Sequence, residues 1–191
     1  MTGFSLQYLP RFFVKQRLTM LANRYEIREA LPDGSEGRMF AVAQQKRMAM
    51  KEQVTFFADD ARTQPLFGFK ARRVMDLAAA YDVTAADGTV LGSFQKDFGA
   101  SLMRSSFHLN GPGLEAYGQE RDATTALLRR FIDFPFSFHF DFTDKMTGAS
   151  VLSSTRQFTL RDRYTVEVPD QRVDFRLAAA VAVGLDALMQ R

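Results

Sequence analysis

The side chains that could do chemistry here are few. The chain of 191 residues holds two histidines, 22 aspartates and glutamates, and no cysteine. His108 and His139 have no acidic or imidazole neighbour at ligand spacing, so neither reads as part of a metal site. His139 alternates with Phe138 and Phe140, which on an extended strand sends its ring to the side opposite theirs, a solvated outer face. A Ser-His-Asp site can be assembled from distant residues, but no Gly-x-Ser-x-Gly elbow occurs. The phrase Asp141-Phe-Thr-Asp-Lys-Met-Thr-Gly148 sets two acids ahead of a glycine. It lacks the third ligand and closing Glu of a calcium loop and reads as a hairpin turn. Asp59 and Asp60 diverge on an extended chain and read as a solvated turn rather than an acid/base pair. There is no P-loop and no dinucleotide fingerprint. The sequence thus offers no catalytic set, metal site or cofactor motif, and it predicts a non-enzymatic protein.

The basic side chains are the better candidates. Lys15 and Arg17, Lys70 with Arg72 and Arg73, Lys96, Arg104, and Arg161 with Arg163 fall near strand ends or on outward-facing positions. On a closed sheet they could converge into one anion-binding patch. Each Lys or Arg beside an anionic bilayer is worth about 1 kcal/mol, so four together give useful affinity and one does not. Scattered, the same charges only keep the protein soluble. A net charge of +3 is compatible with nucleic-acid binding without requiring it.

These residues must be positioned by strands. Phe12, Val14 and Gln16 alternate with Arg11, Phe13, Lys15 and Arg17, which is strand spacing with a basic outer face. Further strands are expected over residues 23–30, 38–44, 51–58, 66–72, 77–86, 89–97, 102–109, 114–121, 134–142, 149–158 and 162–168. Pro32-Asp33-Gly34, Ala86-Asp87-Gly88 and Asn110-Gly111-Pro112-Gly113 supply turns between them. Phe134, Phe136, Phe138, Phe140 and Phe142 share one face and demand a core. One interruption, residues 124–133, has Leu127, Leu128, Phe131 and Ile132 at helical spacing, and a short helix is predicted there, ended by Pro135. No linker divides the chain, so one domain is expected over residues 1–191.

The last stretch, Asp174 to Gln190, reads as a helix of another kind. Leu177 to Leu185 contains no charged or hydrogen-bonding side chain, so no side of the helix can face water. A membrane span needs about 20 apolar residues, and this run is roughly half that. Five small residues, Ala178, Ala179, Ala180, Ala182 and Gly184, let a surrounding wall come close. About 17 helical residues span about 26 Å, the length of a strand of seven or eight residues. About twelve antiparallel strands closed into a barrel, with this helix filling the bore, satisfies all of these demands.

The repeated turn-strand units at Pro65 to Lys70 and Gly88 to Lys96, the Gly-x-Phe-x-Lys phrase at Gly92 to Lys96, and Val173-Asp174-Phe175 leading into the Ala-rich helix resemble the Tubby C-terminal-like superfamily. The likeness is to its LURP-one-related branch, with phospholipid scramblases as more distant relatives. The resemblance covers nearly the whole chain and implies a twelve-stranded barrel around a hydrophobic C-terminal helix. It also implies phosphoinositide binding as a hypothesis, although no residue of that site maps onto this chain by motif. The cysteine-rich and proline-rich features of scramblases are missing. The expected role is a binding or scaffold module that recognises an anionic phospholipid headgroup or a protein partner through the barrel exterior, in the cytoplasm or at the inner membrane surface. A nucleic-acid-linked regulator and a hydrolase with a dispersed site are the alternatives.

Overall fold

The computed structural model describes residues 7–18, 22–46, 53–72, 80–97, 105–121, 139–157 and 163–189. Period-two alternation becomes twelve strands: β1 (Arg11–Leu18), β2 (Ala22–Ala30), β3 (Glu36–Lys46), β4 (Gln53–Phe57), β5 (Pro65–Ala71), β6 (Ala80–Ala85), β7 (Val90–Asp97), β8 (Ser106–Gly111), β9 (Leu114–Glu120), β10 (His139–Asp144), β11 (Ser150–Gln157) and β12 (Arg163–Glu167). Each pairs antiparallel with its sequence neighbours, and β12 returns to β1, closing the barrel. Closure removes the sheet edges. The predicted helix over 124–133 and the first five residues of the predicted 134–142 strand lie outside the described residues.

The helix α1 (Phe175–Met189) runs inside this barrel. Asp174 starts it by accepting a hydrogen bond from the Arg176 backbone N–H at 2.8 Å, as an N-cap side chain does. Every residue from Leu177 to Asp186 is buried. Full burial of a Leu or Val contributes about 1.5–3 kcal/mol, and here it falls on all sides of the helix rather than on a stripe. The rings of the wall fit against its small residues. Phe175 meets Phe12, Phe40 and Phe67 at centroid distances of 5.1, 5.5 and 6.5 Å. Phe94 stacks on Tyr81 at 5.1 Å and meets Phe69 edge-on at 5.3 Å. Gly92, at φ 152°, lets β7 approach both β8 and the helix. A Cβ there would sit 2.4 Å from the Asn110 carbonyl oxygen and 2.8 Å from a Leu177 methyl.

The turn of the Asp144–Gly148 phrase is the hairpin the sequence indicates, and it does a second job. Asp144 accepts the backbone N–H groups of Met146 and Thr147 at 2.8 and 3.0 Å. It also takes the Arg172 guanidinium at 2.5 Å, which bonds Asp170 and the Gly113 carbonyl as well. Arg172 thereby clips two hairpins to the segment that leads into α1. Its hydrogen bond, with the two turn amides, holds the Asp144 carboxyl at about 2. A carboxyl held below its ordinary 3.8 adds stability above that value and loses it as pH falls towards 2. Arg172→Met therefore flattens the acid limb of the thermal-unfolding profile between those values. An unchanged limb would show that the clip adds nothing.

Candidate anion-binding face

On β1 the side chains of Phe12 and Val14 enter the core, while Phe13, Lys15 and Arg17 face outwards beside β2 and β12. The expected basic outer face is present but not solvated as the alternation suggests. Phe13 is 1% exposed and Lys15 4%. The Arg163 guanidinium lies over the Phe13 ring, 4.3 Å from its centroid, a cation–π contact that also shields the ring. Two carboxylates draw the cations inward. Glu36 holds Lys15 at 2.8 Å, with Arg163 at 3.7 Å and Arg28 at 3.8 Å. Glu26, on β2, holds Arg28 at 2.9 Å, Arg17 at 3.3 Å and Arg24 at 3.4 Å. Burial pushes both carboxyls up. For Glu26 the Arg28 hydrogen bond and the charges of Arg17, Arg28 and Arg24 overcome that, and for Glu36 Lys15, Arg28 and Arg163 do the same, so both end below their ordinary value.

The arrangement leaves five cations around the buried Glu26 and the half-buried Glu36, with one more carboxylate, the exposed Asp60, on Arg24. Its most open part is at Arg17 and Arg24, which sit directly opposite one another across β1 and β2. Like charges at cross-strand positions repel, and here both Nε atoms share one oxygen, Oε1 of Glu26. The Arg17 side chain is 54% exposed. A second anion placed between the two guanidinium groups would relieve the repulsion that one shared oxygen leaves.

Of the basic residues singled out from the sequence, Lys15, Arg17 and Arg163 therefore converge on β12, β1 and β2. Lys70 and Arg72 lie elsewhere, on β5 and just after it. Lys70 is exposed and opposite Asp82, and Arg72 is forked onto Asp82 by three contacts of 2.7–3.0 Å. Lys96 pairs in register with Phe107 of the core, so it stands on the core-facing side near the end of β7, not on the exterior. Arg73, Arg104 and Arg161 lie outside the described residues. Sequence reasoning missed Arg24 and Arg28. Their signal was the alternation of Arg24, Glu26 and Arg28 with Tyr25 and Ile27.

His139 takes the outward side of β10, opposite Thr155. His108 does have an acidic neighbour in space, because Asp97 on the adjacent strand comes within 3.3 Å of its Nε2. A triad would need a hydroxyl at the other nitrogen, and His108 Nδ1 is buried without a hydrogen-bond partner. Asp59 and Asp60 do form a turn. Among the described residues no three His, Cys, Asp or Glu side chains are grouped so as to hold a metal ion, and no helix is long and apolar enough to cross a membrane.

The family model of LURP-one-related proteins matches residues 39–186, which runs from β3 to the buried end of α1. The chain belongs to the LURP-one-related family. That family is part of the Tubby-like superfamily, in keeping with the barrel and central helix described above. The match does not extend to the phospholipid scramblases. No curated protein and no solved structure matches the chain. This LURP-one-related domain carries its cation cluster largely on β1, β2 and β12. Of the cluster's residues, Lys15, Arg17, Arg24, Glu26, Arg28 and Glu36 precede the segment the family model matches, and Arg163 lies within it.

Proposed function

We propose that this LURP-one-related protein is a non-enzymatic binding module whose outer face on β12, β1 and β2 recognises a phosphate-bearing anionic headgroup at a membrane surface. The observation that carries the reading is the cross-strand pair Arg17 and Arg24, two like charges held opposite one another with a single shared carboxylate oxygen between them. Guanidinium groups suit phosphate because their donors match its oxygens two at a time. Lys15, Arg28 and Arg163, drawn in by Glu26 and Glu36, add to the local positive potential, which acts within about 10 Å at ordinary ionic strength.

Sedimentation with phosphatidylcholine vesicles, with and without phosphatidylinositol phosphate, tests this. The protein partitions onto the phosphate-bearing vesicles, and removing both arginines (Arg17→Ala with Arg24→Ala) lowers the partition coefficient about 30-fold, the equivalent of about 1 kcal/mol per cation. Arg72→Ala, whose guanidinium is already forked onto Asp82, changes it little. Equal partitioning of the protein onto both vesicle types at low salt would end the lipid reading.

A further inference from the structure

Asp60 belongs to the connection between β4 and β5, yet it reaches back across β3 to Arg24 on β2. Its Oδ1 lies 2.5 Å from Arg24 Nη2, while its own side chain is 62% exposed. The contact is a poor use of a guanidinium. Arg24 Nε is buried and, although 3.4 Å from Glu26 Oε1, makes no hydrogen bond, whereas Arg72 and Arg121 are each forked onto an aspartate through two nitrogens. Asp60 thus supplies one oxygen beside the Arg17–Arg24 pair, where a phosphate would supply three.

The connection that carries Asp60 is organised within itself. Ala58 N–H bonds the Gln64 carbonyl, Arg62 N–H bonds the Asp59 carbonyl, and the Asp59 carboxylate takes both the backbone N–H and the hydroxyl of Thr63. Arg62 holds a left-handed φ of 58°, a conformation that costs a non-glycine residue energy. Beneath it runs a thinly laddered seam: among the described residues β3 and β4 pair at Val42 with Phe57 and at Ala43 with Phe56, while β3 pairs with β2 from Lys46 to Glu36. Ala61 and Arg62 line a groove of about 600 Å³ along that seam with Gln44, Gln53, Thr55 and Phe57. Arg24–Asp60 straps the connection over the seam.

We infer that Asp60 is an internal occupant of the anion site, and that a phosphate monoester binding at Arg17 and Arg24 displaces it and releases the 58–64 strap from the β3–β4 seam. The inference rests on the anion-binding reading above and adds a coupling to it. By linkage, whatever weakens the strap strengthens the ligand by the same factor. An exposed ion pair of this kind sets that factor at about two- to five-fold.

Affinity and amide hydrogen exchange are measured together on the full chain, with inorganic phosphate in one arm and phosphatidylinositol phosphate vesicles in the other. Asp60→Asn is compared with Glu115→Gln, which removes an equal charge from the exposed side of β9. The expected result is a two- to five-fold gain in affinity for Asp60→Asn and none for Glu115→Gln. Exchange across residues 57–64 should be faster in the wild type once ligand is bound, and already fast in Asp60→Asn without it. A response to phosphate alone identifies a soluble anion, and one confined to vesicles identifies a lipid headgroup. Equal affinities for the two variants, or binding without any change over the strap, overturns the coupling and leaves the anion site standing. Failure of both wild type and Asp60→Asn to bind in either arm overturns both.

Discussion

Gly184→Val destabilises the protein by at least about 3 kcal/mol, the upper range for overpacking a filled core. A Cβ at this position would sit 2.5 Å from Cζ of Phe94, closer than two carbons can approach. Phe94 cannot swing aside, because it is fully buried and fixed by Tyr81 on one side and Phe69 on the other. Gly184→Ala makes the sharper test. In a solvated helix the change would stabilise by about 1 kcal/mol through helix propensity. Here the clash with Phe94 outweighs that gain and the sign reverses. Urea unfolding of Gly184→Ala, Phe94→Leu and the double variant measures the contact directly. The double variant should be more stable than the sum of the two losses allows, since the smaller side chain admits the new methyl. A stabilised Gly184→Ala would mean that the helix does not pack against this wall.

Asp186→Ala costs about 3 kcal/mol, for a different reason. Asp186 is 3% exposed, near the end of the long buried run of α1. Its Oδ2 accepts a hydrogen bond from the Tyr25 hydroxyl at 2.8 Å, and its Oδ1 accepts one from the Tyr164 hydroxyl. Both tyrosines are themselves buried. Deleting the carboxylate strands two hydroxyls away from water, each worth about 1–3 kcal/mol. Asp186→Asn keeps one acceptor oxygen and loses about half as much. Combining Tyr25→Phe and Tyr164→Phe with Asp186→Ala removes the stranded groups and should recover part of the loss in chemical denaturation. If Asp186→Ala unfolds like the wild type, the carboxylate does not anchor the helix.

The same contact adds to the effect of burial on how Tyr164 titrates. Burial and then the neighbouring Asp186 charge push its phenol well above the ordinary 10.0, against a smaller opposing pull from Arg156. A group held protonated by folding supports stability below its ordinary value and withdraws that support as pH rises beyond it.

Much of this architecture was legible along the chain because its causes are local. Alternation of apolar and polar side chains over five to nine residues marks a strand wherever it sits, and Asp87-Gly88 or Pro112-Gly113 turns the chain whatever surrounds it. Leu177 to Leu185 announces a helix enclosed on all sides, because no arrangement of that run on a surface would hide its apolar side chains. The family resemblance rested on the same features and was recovered by the family match over residues 39–186.

The candidate site was only half legible. Which strand faces outward could be read near Lys15 and Arg17, but whether their charges stand in water could not. That depends on Glu36, which reaches Lys15 from the start of another strand, and on Arg163, which crosses Phe13 from the far end of the chain. Lys96 shows the limit on strand faces themselves. It stands two residues after Phe94 in an unbroken register, Phe94 opposite Leu109 and Lys96 opposite Phe107, so alternation carries it to the core side, and a charge at the end of a strand does not by itself mark the outer face.

From the sequence alone, then, came the number of strands, the positions of the turns and the need to enclose the terminal helix. Each follows from interactions between residues a few positions apart. The meeting of Arg17 with Arg24, the reach of Asp60 across β3 and the two tyrosines waiting for Asp186 were settled only in three dimensions. In each of these the partners come from different strands, and the register that joins them is chosen by the packing of the whole wall around the helix.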